Sequence, residues 1–566
     1  MTDPAIQALH QRWTERADQS LQAELSAMCD DPAKMEDAFY RDLAFGTGGL
    51  RGVIGAGTNR MNLHTVAKAS QGLADYVAER FPEGQRSIAV SYDSRILSDT
   101  FARTAAEVFA ASGITVWIYP QLMPTPCLSY AVRALGCSAG VMVTASHNPA
   151  KYNGYKVYGA DGCQITTEAA DEILAHIERL DVFDSPRRVA FDEAMQSGLI
   201  RWVPEDVYTG FTEEVKKQSL LGDAQVAKDA AIVYTPLNGT GLRPVLRALR
   251  ESGYTNVTVV AEQEQPDGHF PTCPYPNPEI REAMALGLQY AQRLNADLLL
   301  ATDPDCDRCG IAVRNPDGGY QLLTGNETGV LLLDYVCKRR LALGRMPAHP
   351  VCVKTIVTTD MAERIAAKYG VETVNVLTGF KFIGETIARL EQAGRRDDYI
   401  FGFEESYGYL SGTYVRDKDA VNAALLICEM FAWYKAQGVS LLEQLKNLYS
   451  EFGYCLNTLH SYTFEGASGF KRMQAIMAAL RCGVKEIGGR AVECLLDYAP
   501  GLDGLPKSDV LKFLLAGNAS VVVRPSGTEP KLKMYISITS PDREQAAASE
   551  KALTQALEQL MDQVQA

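Results

Sequence analysis

Hydrophobic and polar positions along the first 200 residues alternate between two kinds of segment. Short runs of apolar and β-branched residues at 87–91, 115–119 and 140–144 predict strands, and the helical hydrophobic period over 100–111 predicts a helix. Strands that alternate with helices are typical of a parallel or mixed sheet covered by helices. The pattern therefore predicts an α/β unit.

The same alternation returns twice later in the chain. The segments that predict the second and third units lie, in chain order, at 230–234, 242–251, 256–261, 297–302, 351–357, 359–369 and 371–376. Residues 454–464 and 520–538 differ, because their pattern predicts antiparallel strands flanked by helices.

These units place domain boundaries near residues 200, 320 and 445. A chain of 566 residues needs several domains, because one hydrophobic core stops growing at roughly 250 to 300 residues. We predict an α/β fold with α/β domains at 1–200, 201–320 and 321–445 and an α+β domain at 446–566. Residues 1–40 form an acidic helical extension within the first domain. Its apolar residues spaced for one helical face are Leu9, Trp13, Leu21 and Leu25.

Charge and composition limit the partners and location of the protein. The formal net charge of −14 argues against broad binding to nucleic acid or anionic membranes, which depends on clustered Lys and Arg. Residues 1–12 lack the basic and apolar regions of a secretory signal. The apolar stretch 420–434 contains Asn422 and Glu429 and is too short for a bilayer. We expect a cytoplasmic protein in which 420–434 is a buried helix.

The cysteines give little evidence of a metal site. Of thirteen, only Cys306 and Cys309 form a C-x-x-C pair, without a second pair or a nearby histidine. Zinc sites and disulfide scaffolds need more than this, so reduced and mostly buried thiols are expected.

Ser146 lies in the first of four loops that suit phosphate chemistry. An apolar strand ends there in Thr-Ala-Ser-His-Asn-Pro at 144–149, and such a turn presents a hydroxyl at the strand end. Lys156 follows shortly and supplies a cation for an anion held by the serine. A lone serine in a turn is more often a structural cap, so the case for Ser146 depends on the other loops.

The second loop carries Asp303, Asp305 and Asp307 at alternate positions after an apolar strand. Neighbouring carboxylates repel each other unless a hard cation such as Mg²⁺ is bound, and oxygen ligands suit that ion. The loop is not an EF-hand, because Arg308 and Arg314 occupy the positions of the required Gly and Glu. A solvated acidic turn and an aspartyl phosphatase with Asp303 as nucleophile remain alternatives, although such phosphatases normally carry Thr or Val where Asp307 stands.

The third and fourth loops suit a phosphorylated sugar. Residues 402–408 place Glu404, Glu405 and Ser406 between glycines, where they can bond to vicinal sugar hydroxyls. In the fourth loop, Arg524 can grip a phosphate bidentately. The hydroxyl and backbone N–H groups that follow it come from Ser526, Gly527 and Thr528. Alone, each loop could also be an ordinary surface connection.

Two further segments supply basic residues, and one glycine-rich segment needs excluding. Arg51 lies in a glycine-rich loop and Lys418 in the charged segment 416–419, and singly each would be a surface charge. There is no Walker A or dinucleotide fingerprint, because the Gly-Thr-Gly at 239–241 is followed by Pro244 where a glycine is required. The sequence gives no support for nucleotide binding.

Taken together and in this order, the loops resemble those of the α-D-phosphohexomutase family, in particular its phosphoglucomutase-like branch, from about residue 45 to 540. The resemblance implies a heart-shaped molecule of three related α/β domains and a smaller C-terminal α+β domain, each giving one loop to a central cleft. It implies that Ser146 carries a phosphoryl group. Mg²⁺ would then be bound by Ser146 with its phosphate and by Asp303, Asp305 and Asp307.

Matching motifs imply roles for further residues. Arg51 and Lys156 would assist phosphoryl transfer. The implied substrate contacts are Arg51, Arg308, Thr378, Gly379, Lys381, Glu404, Ser406, Lys418, Arg524, Ser526, Gly527 and Thr528. Phe380 departs from relatives with Trp or His at that position, which leaves the general acid/base open. The candidates are Lys156, His147 and Lys381, in that order.

The resemblance implies that glucose 1-phosphate and glucose 6-phosphate are interconverted, with glucose 1,6-bisphosphate as intermediate and activator. Glu404 to Ser406 favour glucose, while mannose or pentose phosphates remain alternatives, as does a synthase that makes glucose 1,6-bisphosphate. A binding protein that has lost its chemistry would not need Ser146 and three aspartates. The sequence is silent on oligomeric state and pathway.

Overall fold

The computed structural model describes residues 3–46, 48–464, 466–502, 504–525 and 531–564. Within these residues the strands form four sheets. The first three contain parallel strands with helices packed against them, and the last is antiparallel. The predicted succession of three α/β units and one α+β unit is confirmed.

The first unit is built on a mixed sheet. In spatial order its strands are Phe45–Gly46, Gly49–Val53, Tyr152–Gly159, Ala139–Val143, Ser87–Tyr92, Thr115–Ile118 and Ile200–Trp202. Its helices are Leu63–Arg80, Ser98–Ala111, Thr125–Ala134, Thr167–Glu178 and Phe191–Gln196. The predicted elements agree with these bounds to within two residues.

The second and third units follow the predicted order of strands and helices. The second sheet runs Tyr320–Leu323, Cys309–Arg314, Leu298–Thr302, Ile232–Thr235 and Val257–Val259, with helices Glu205–Lys217, Leu242–Glu251, Ala261–Glu264 and Ala285–Leu294. The third runs Glu372–Val376, Val351–Thr355, Tyr399–Glu404 and Gly408–Leu410, with helices Gly325–Ala342, Met361–Lys368, Phe380–Gln392, Ala420–Ala436 and Leu441–Phe452. The helix from Ala420 is buried, as predicted.

The first three units share one strand arrangement. In each, the first strand of a parallel trio lies between the other two, and a fourth strand pairs antiparallel with the third. The turn between the third and fourth strands contains a non-glycine residue with positive φ: Ser146 at 51°, Cys306 at 52° and Tyr407 at 66°. The first three predicted loops therefore occupy equivalent positions, one in each of the first three units.

The fourth unit has its own sheet and core. In spatial order its strands are Tyr454–Thr463, Lys531–Ser540, Ala519–Pro525, Leu511–Leu515, Arg490–Asp497 and Glu486–Ile487, with helices Gly466–Arg481 and Arg543–Asp562. Leu511, Val523, Ile536 and Leu553 are buried in a cluster within this unit. The loop predicted to hold a phosphate follows the strand that ends at Pro525.

The N-terminal extension is helical, as predicted, but it is divided. Its helices are Pro4–Arg16, Gln22–Met28 and Pro32–Phe39, because Ala17 is extended and Pro32 starts a new helix. Trp13 and Leu25 are fully buried. Arg12 lies 2.8 Å from Asp181 and anchors the extension to the first unit.

Two further predictions concern location and thiols. Among the helices of the described residues, none has both the length and the apolar character needed to cross a membrane. All thirteen cysteines are free thiols, and all but Cys29, Cys482 and Cys494 are buried.

Candidate active site

Residues from all four units line one cleft of about 1070 Å³. The residues predicted from the sequence that line it are Arg51, Ser146, His147, Lys156, Asp307, Arg308, Thr378, Gly379, Lys381, Glu404, Ser406, Lys418 and Arg524. Asp303 and Asp305 are fully buried beside Ser146 and Lys156. The predicted contacts Ser526, Gly527 and Thr528 lie outside the described residues.

Ser146 is held at the end of a buried strand in a left-handed conformation, with φ of 51°. Its backbone N–H donates to the Thr144 hydroxyl at 2.8 Å. Its own hydroxyl donates to Asp303 Oδ2 at 2.9 Å and lies 3.1 Å from His147 Nδ1. A non-glycine residue in this conformation carries strain that surrounding contacts must offset, which is common where a side chain is aimed for function.

Arg95 supplies many of the contacts that hold the serine turn. This buried guanidinium donates to the carbonyls of Ser146 at 2.6 Å, Pro149 at 3.0 Å, Tyr152 at 3.0 Å and Asn148. Sequence reasoning missed it. The signal was the Asp-Ser-Arg that follows the predicted strand at 87–91, at the same sheet edge as Ser146.

The three aspartates form a compact buried cluster in which one carboxylate oxygen of each lies within 4.8 Å of the others. Asp303 Oδ1 accepts from the backbone N–H groups of Asp307 at 3.1 Å and Arg308 at 3.0 Å. Asp305 Oδ2 accepts from Thr125 Oγ1 at 3.0 Å. In the described structure, Asp305 Oδ1 and Asp307 Oδ1 are buried and accept no hydrogen bond.

This donor set fits a hard divalent cation. Burial, with the neighbouring carboxylates of Asp305 and Asp307, raises the pKa of Asp303 well above its usual range. Burial also raises the pKa of Asp307. Burial would raise the pKa of Asp305 too, but Lys156, together with a hydrogen bond to Asp303 and the Lys418 charge, holds it well below its usual range. A cation would offset the remaining repulsion and bind the carboxylate oxygens that lack hydrogen bonds.

Two lysines flank the cluster. Lys156 Nζ lies 2.8 Å from Asp305 Oδ2 and 3.5 Å from Asp307 Oδ2, and Lys418 Nζ lies 3.0 Å from Asp307 Oδ2. Burial alone would lower the pKa of Lys156, but the two carboxylates raise it. Both lysines are therefore ammonium donors at this edge of the cleft.

Arg308 follows the three aspartates and lines the cleft. Its Nη1 lies 2.9 Å from Glu279 Oε1 and its Nε lies 4.0 Å from Asp303 Oδ2, so the guanidinium is held between the aspartate loop and Glu279. Glu279 lines the cleft and was missed, because it lies in an irregular segment of the second unit without a recognisable motif.

The third loop, at 402–408, is anchored by its middle residue, Glu405. Glu405 Oε2 accepts from the hydroxyls of Thr355 and Thr358, each at 3.2 Å. Burial, with the neighbouring Glu404 charge, raises the pKa of Glu405 to about 7. Glu405 lines the cleft together with Glu404 and Ser406 on either side of it.

The loop that contains Phe380 approaches the cleft at the start of a helix. Gly379 has φ of 118°, a conformation that L-residues rarely adopt, and Thr378 Oγ1 is buried without a hydrogen bond in the described structure. Lys418 Nζ lies 5.9 Å from the centre of the Phe380 ring. Burial lowers the pKa of Lys381.

The opposite end of the cleft is basic. Arg524 donates to the Tyr535 hydroxyl at 3.3 Å and lines the cleft together with Lys531 and Lys533. The two lysines were missed, although their alternate positions on the strand predicted at 520–538 place both side chains on one face.

The chain matches each domain of a known family. Residues 42–182, 209–319 and 324–452 match the phosphoglucomutase/phosphomannomutase alpha/beta/alpha domains I, II and III, and residues 469–554 match the C-terminal domain of the same family. A phosphoglucomutase of Staphylococcus saprophyticus is 37% identical over 510 residues, which cover 88% of this chain and 90% of the relative. A phosphoglucomutase of Staphylococcus aureus strain USA300 is 36% identical over 554 residues, covering 96% and 97%.

Solved structures show the same fold at lower identity. A phosphoglucomutase/phosphomannomutase family protein from Burkholderia thailandensis matches with a TM-score of 0.68 and 17% identity, covering 92% of this chain and 98% of that chain. The open form of parafusin, a phosphoglucomutase from Paramecium, matches with a TM-score of 0.67 and 18% identity, covering 92% and 95%.

Proposed function

Because the chain belongs to the phosphoglucomutase/phosphomannomutase family, we propose that it interconverts glucose 1-phosphate and glucose 6-phosphate through a phosphoserine at Ser146. The relatives that are 36 to 37% identical over most of the chain are phosphoglucomutases, which supports glucose as the sugar. The observation that carries the proposal is the placement of the Ser146 hydroxyl, 2.9 Å from Asp303 at the inner end of a cleft lined by all four units.

The first step transfers the phosphoryl group from Ser146 Oγ to the free hydroxyl of the bound sugar phosphate. The phosphorus–Oγ bond breaks as the bond to the sugar oxygen forms. The sugar hydroxyl gives up its proton to a base, and Ser146 Oγ takes up one proton as it leaves, so that the serine hydroxyl is restored. Lys156 and Arg308 would offset the charge on the transferring oxygens, since both line the cleft beside the aspartates. The product of this step is glucose 1,6-bisphosphate.

The second step returns the other phosphoryl group to Ser146, so the bisphosphate must reverse its orientation inside the cleft. Arg524 would bind the phosphate that is not reacting, with Lys531 and Lys533 adding positive charge. Ser526, Gly527 and Thr528 are proposed for the same phosphate. Glu404 and Ser406 would bind the sugar hydroxyls in both orientations, and Thr378, Gly379 and Lys381 would contact the sugar from the adjoining loop.

We propose that Asp303, Asp305, Asp307 and Ser146 hold Mg²⁺, which when bound supplies positive charge to the phosphoryl oxygens. Hydrogen bonds within the protein already orient two of these aspartate side chains. Two backbone N–H groups fix Asp303, and the Thr125 hydroxyl and Lys156 fix Asp305.

The geometry changes the ranking of the proton acceptors. Lys156 Nζ donates to Asp305 and is an ammonium, so we assign it to charge compensation. His147 Nδ1 lies 3.1 Å from the Ser146 hydroxyl. We therefore propose His147 as the first candidate for the general acid/base, and Lys381, which also lines the cleft, as the second. Arg51, on a strand paired with that of Lys156, is proposed to contact the phosphoryl group.

An aspartyl phosphatase is less consistent with these contacts. Asp303 is fully buried and both its oxygens accept hydrogen bonds, whereas Ser146 lines the cleft. A nucleophile must reach its substrate, and the serine is the group placed to do so.

A coupled assay for glucose 6-phosphate tests the proposal directly. We expect turnover of glucose 1-phosphate in the presence of Mg²⁺ and a trace of glucose 1,6-bisphosphate, and slower turnover of mannose 1-phosphate and ribose 1-phosphate. Faster turnover of mannose 1-phosphate or ribose 1-phosphate would change the proposed substrate but leave the proposed mutase reaction standing. No turnover of any of the three would overturn the mutase itself.

A further inference from the structure

A second cavity, of about 770 Å³, lies where the first three units meet. Its walls come from helices Thr125–Ala134 and Glu205–Lys217 and from the segments 340–347, 396–399 and 411–414. Among the described residues it shares none of its lining with the active-site cleft. Its volume is in the range that holds a small-molecule ligand.

The second cavity is basic in a chain with a net charge of −14. Its lining includes two carboxylates, Glu214 and Asp397. The cationic side chains that line it are Arg133, Lys217, Arg340, Arg345 and Arg396. An excess of cations in a concave site raises the local concentration of anions.

Some of these cations are neutralised by ion pairs. Lys217 Nζ lies 2.6 Å from Glu214, and Arg396 Nε lies 3.6 Å from Asp397. Arg133 lies 3.3 Å from Glu391, a carboxylate just outside the lining. These pairs use both lining carboxylates, so they leave none for the remaining arginines.

Arg340 and Arg345 have no carboxylate within ion-pair distance in the described part of the chain. Arg340 Nε is inaccessible to solvent and makes no hydrogen bond, while Nη1 donates to the Arg345 carbonyl at 3.4 Å. Burial and the Arg345 charge lower the pKa of Arg340, against a smaller opposing effect of Cys337, Asp397 and Tyr399. A half-buried guanidinium beside a like charge is costly without an anion.

We propose that the second cavity is a binding site for a small polyanion, whose charged groups pair with Arg340 and Arg345. Guanidinium groups bind phosphoryl and carboxylate groups alike through paired N–H donors. The ligand class is therefore a small molecule with at least two anionic groups, either a phosphorylated compound or a polycarboxylate. This site is separate from the phosphate contacts of the cleft and does not depend on the reaction proposed there.

Hydrogen–deuterium exchange of the full chain tests this proposal, because it reports on the two cavities separately. Pyrophosphate is the phosphorylated probe and citrate the polycarboxylate probe. We expect pyrophosphate to slow exchange in peptides that cover 340–347 and 411–414, in addition to any protection around 144–156 in the cleft. Protection by pyrophosphate alone would assign a phosphorylated ligand, and protection by both probes a general polyanion site.

A matched pair of variants isolates the charge. Arg345 and Arg250 are both exposed arginines without an ion pair in the described residues, but only Arg345 lines the second cavity. Arg345→Gln should weaken pyrophosphate binding at 340–347 and 411–414 by about tenfold, or about 1.4 kcal/mol, and Arg250→Gln should not change it. Absence of protection by either probe outside the cleft, or equal binding by the two variants, would overturn the proposal.

Discussion

The two ends of the active-site cleft are built on different principles. At the Ser146 end, the serine and three aspartates are buried at the turns of the first two units, and their contacts come from those turns and from adjoining elements. At the Arg524 end, half-buried cations project from strands of the antiparallel sheet. We infer that the Ser146 end fixes the geometry of phosphoryl transfer. The Arg524 end tolerates a phosphate group in more than one position.

A small polar cluster joins the second end to the rest of the molecule. Asp360 of the third unit accepts from Ser520 at 3.0 Å and lies 3.3 Å from Lys512, both of the fourth unit. Nearby, Arg364 donates to the Thr539 hydroxyl at 3.0 Å. The fourth unit has a core of its own, but its Val510, Val522 and Tyr535 also pack into the large core that includes the third unit.

The largest expected effect is at the first end. Ser146→Ala should lower kcat by roughly a thousandfold or more, since it removes the atom that carries the phosphoryl group. Ser406→Ala, which removes a hydroxyl at the sugar loop, is the matched control and should lower kcat/KM by only about tenfold. Steady-state kinetics on the two variants would contradict the assignment if their losses were equal.

The second largest effect is expected from loss of the proposed metal site at the first end. Asp305→Asn should lower kcat by about a hundredfold or more and weaken Mg²⁺ activation, because it removes a charged ligand from the buried cluster. Asp206→Asn, at an exposed position of helix Glu205–Lys217, is the control and should leave both unchanged. A chelator should abolish the activity of the unmodified protein, and full activity in its presence would exclude a metal requirement.

A change at the second end should affect binding more than chemistry. Arg524→Gln should raise KM by about tenfold to a hundredfold, with a smaller change in kcat, because it removes the bidentate phosphate contact proposed for this residue. Arg524→Lys keeps the charge but loses the second N–H donor, so it should recover part of the affinity. A loss confined to kcat would show that Arg524 acts on the reacting phosphoryl group instead.

The smallest expected effect is on the free energy of unfolding, through Asp360 at the contact between the third and fourth units. Burial would raise the pKa of Asp360, but the ammonium groups of Lys354 and Lys512 lower it from 3.8 to about 2. A carboxyl whose pKa is depressed in the folded state stabilises the fold above the unfolded pKa and loses that contribution as pH falls through the folded pKa. Asp360→Asn should therefore cost about 2 kcal/mol at pH 7.

Calorimetry at several pH values measures this cost. The difference in Tm between the unmodified chain and Asp360→Asn should be constant from pH 7 to about pH 4 and shrink towards pH 2. A difference that grows as pH falls would reverse the sign of the Asp360 contribution.

The fold and the equivalent turns of the first three units could be predicted because they leave local signals. In the three α/β units, the strands and helices named from the sequence agree with the structure to within two residues, and the residues after each third strand are those for which chemistry was predicted. The equivalence of these turns was not visible in the sequence. It lies in strand order and in the positive φ of Ser146, Cys306 and Tyr407, which three different residue types adopt.

The residues that could not be predicted act across long sequence separations. Arg95 holds the serine turn through backbone carbonyls more than 50 residues away, and the Asp-Ser-Arg segment places it at the sheet edge without revealing these contacts. Thr125 reaches Asp305 over 180 positions, and Glu279 reaches Arg308 from an irregular segment. Lys156, ranked first as a base on sequence proximity and motif match, is paired with carboxylates that only the folded chain brings to it.

Transfer of the phosphoryl group in a single turnover tests the central claim most directly. The purified chain should carry a phosphate-sized mass adduct on Ser146, and excess glucose 6-phosphate should remove it with the appearance of glucose 1,6-bisphosphate. Ser146→Ala should carry no adduct. An adduct that persists in Ser146→Ala and disappears in Asp303→Asn, with release of free phosphate, would contradict the account and identify an aspartyl phosphatase.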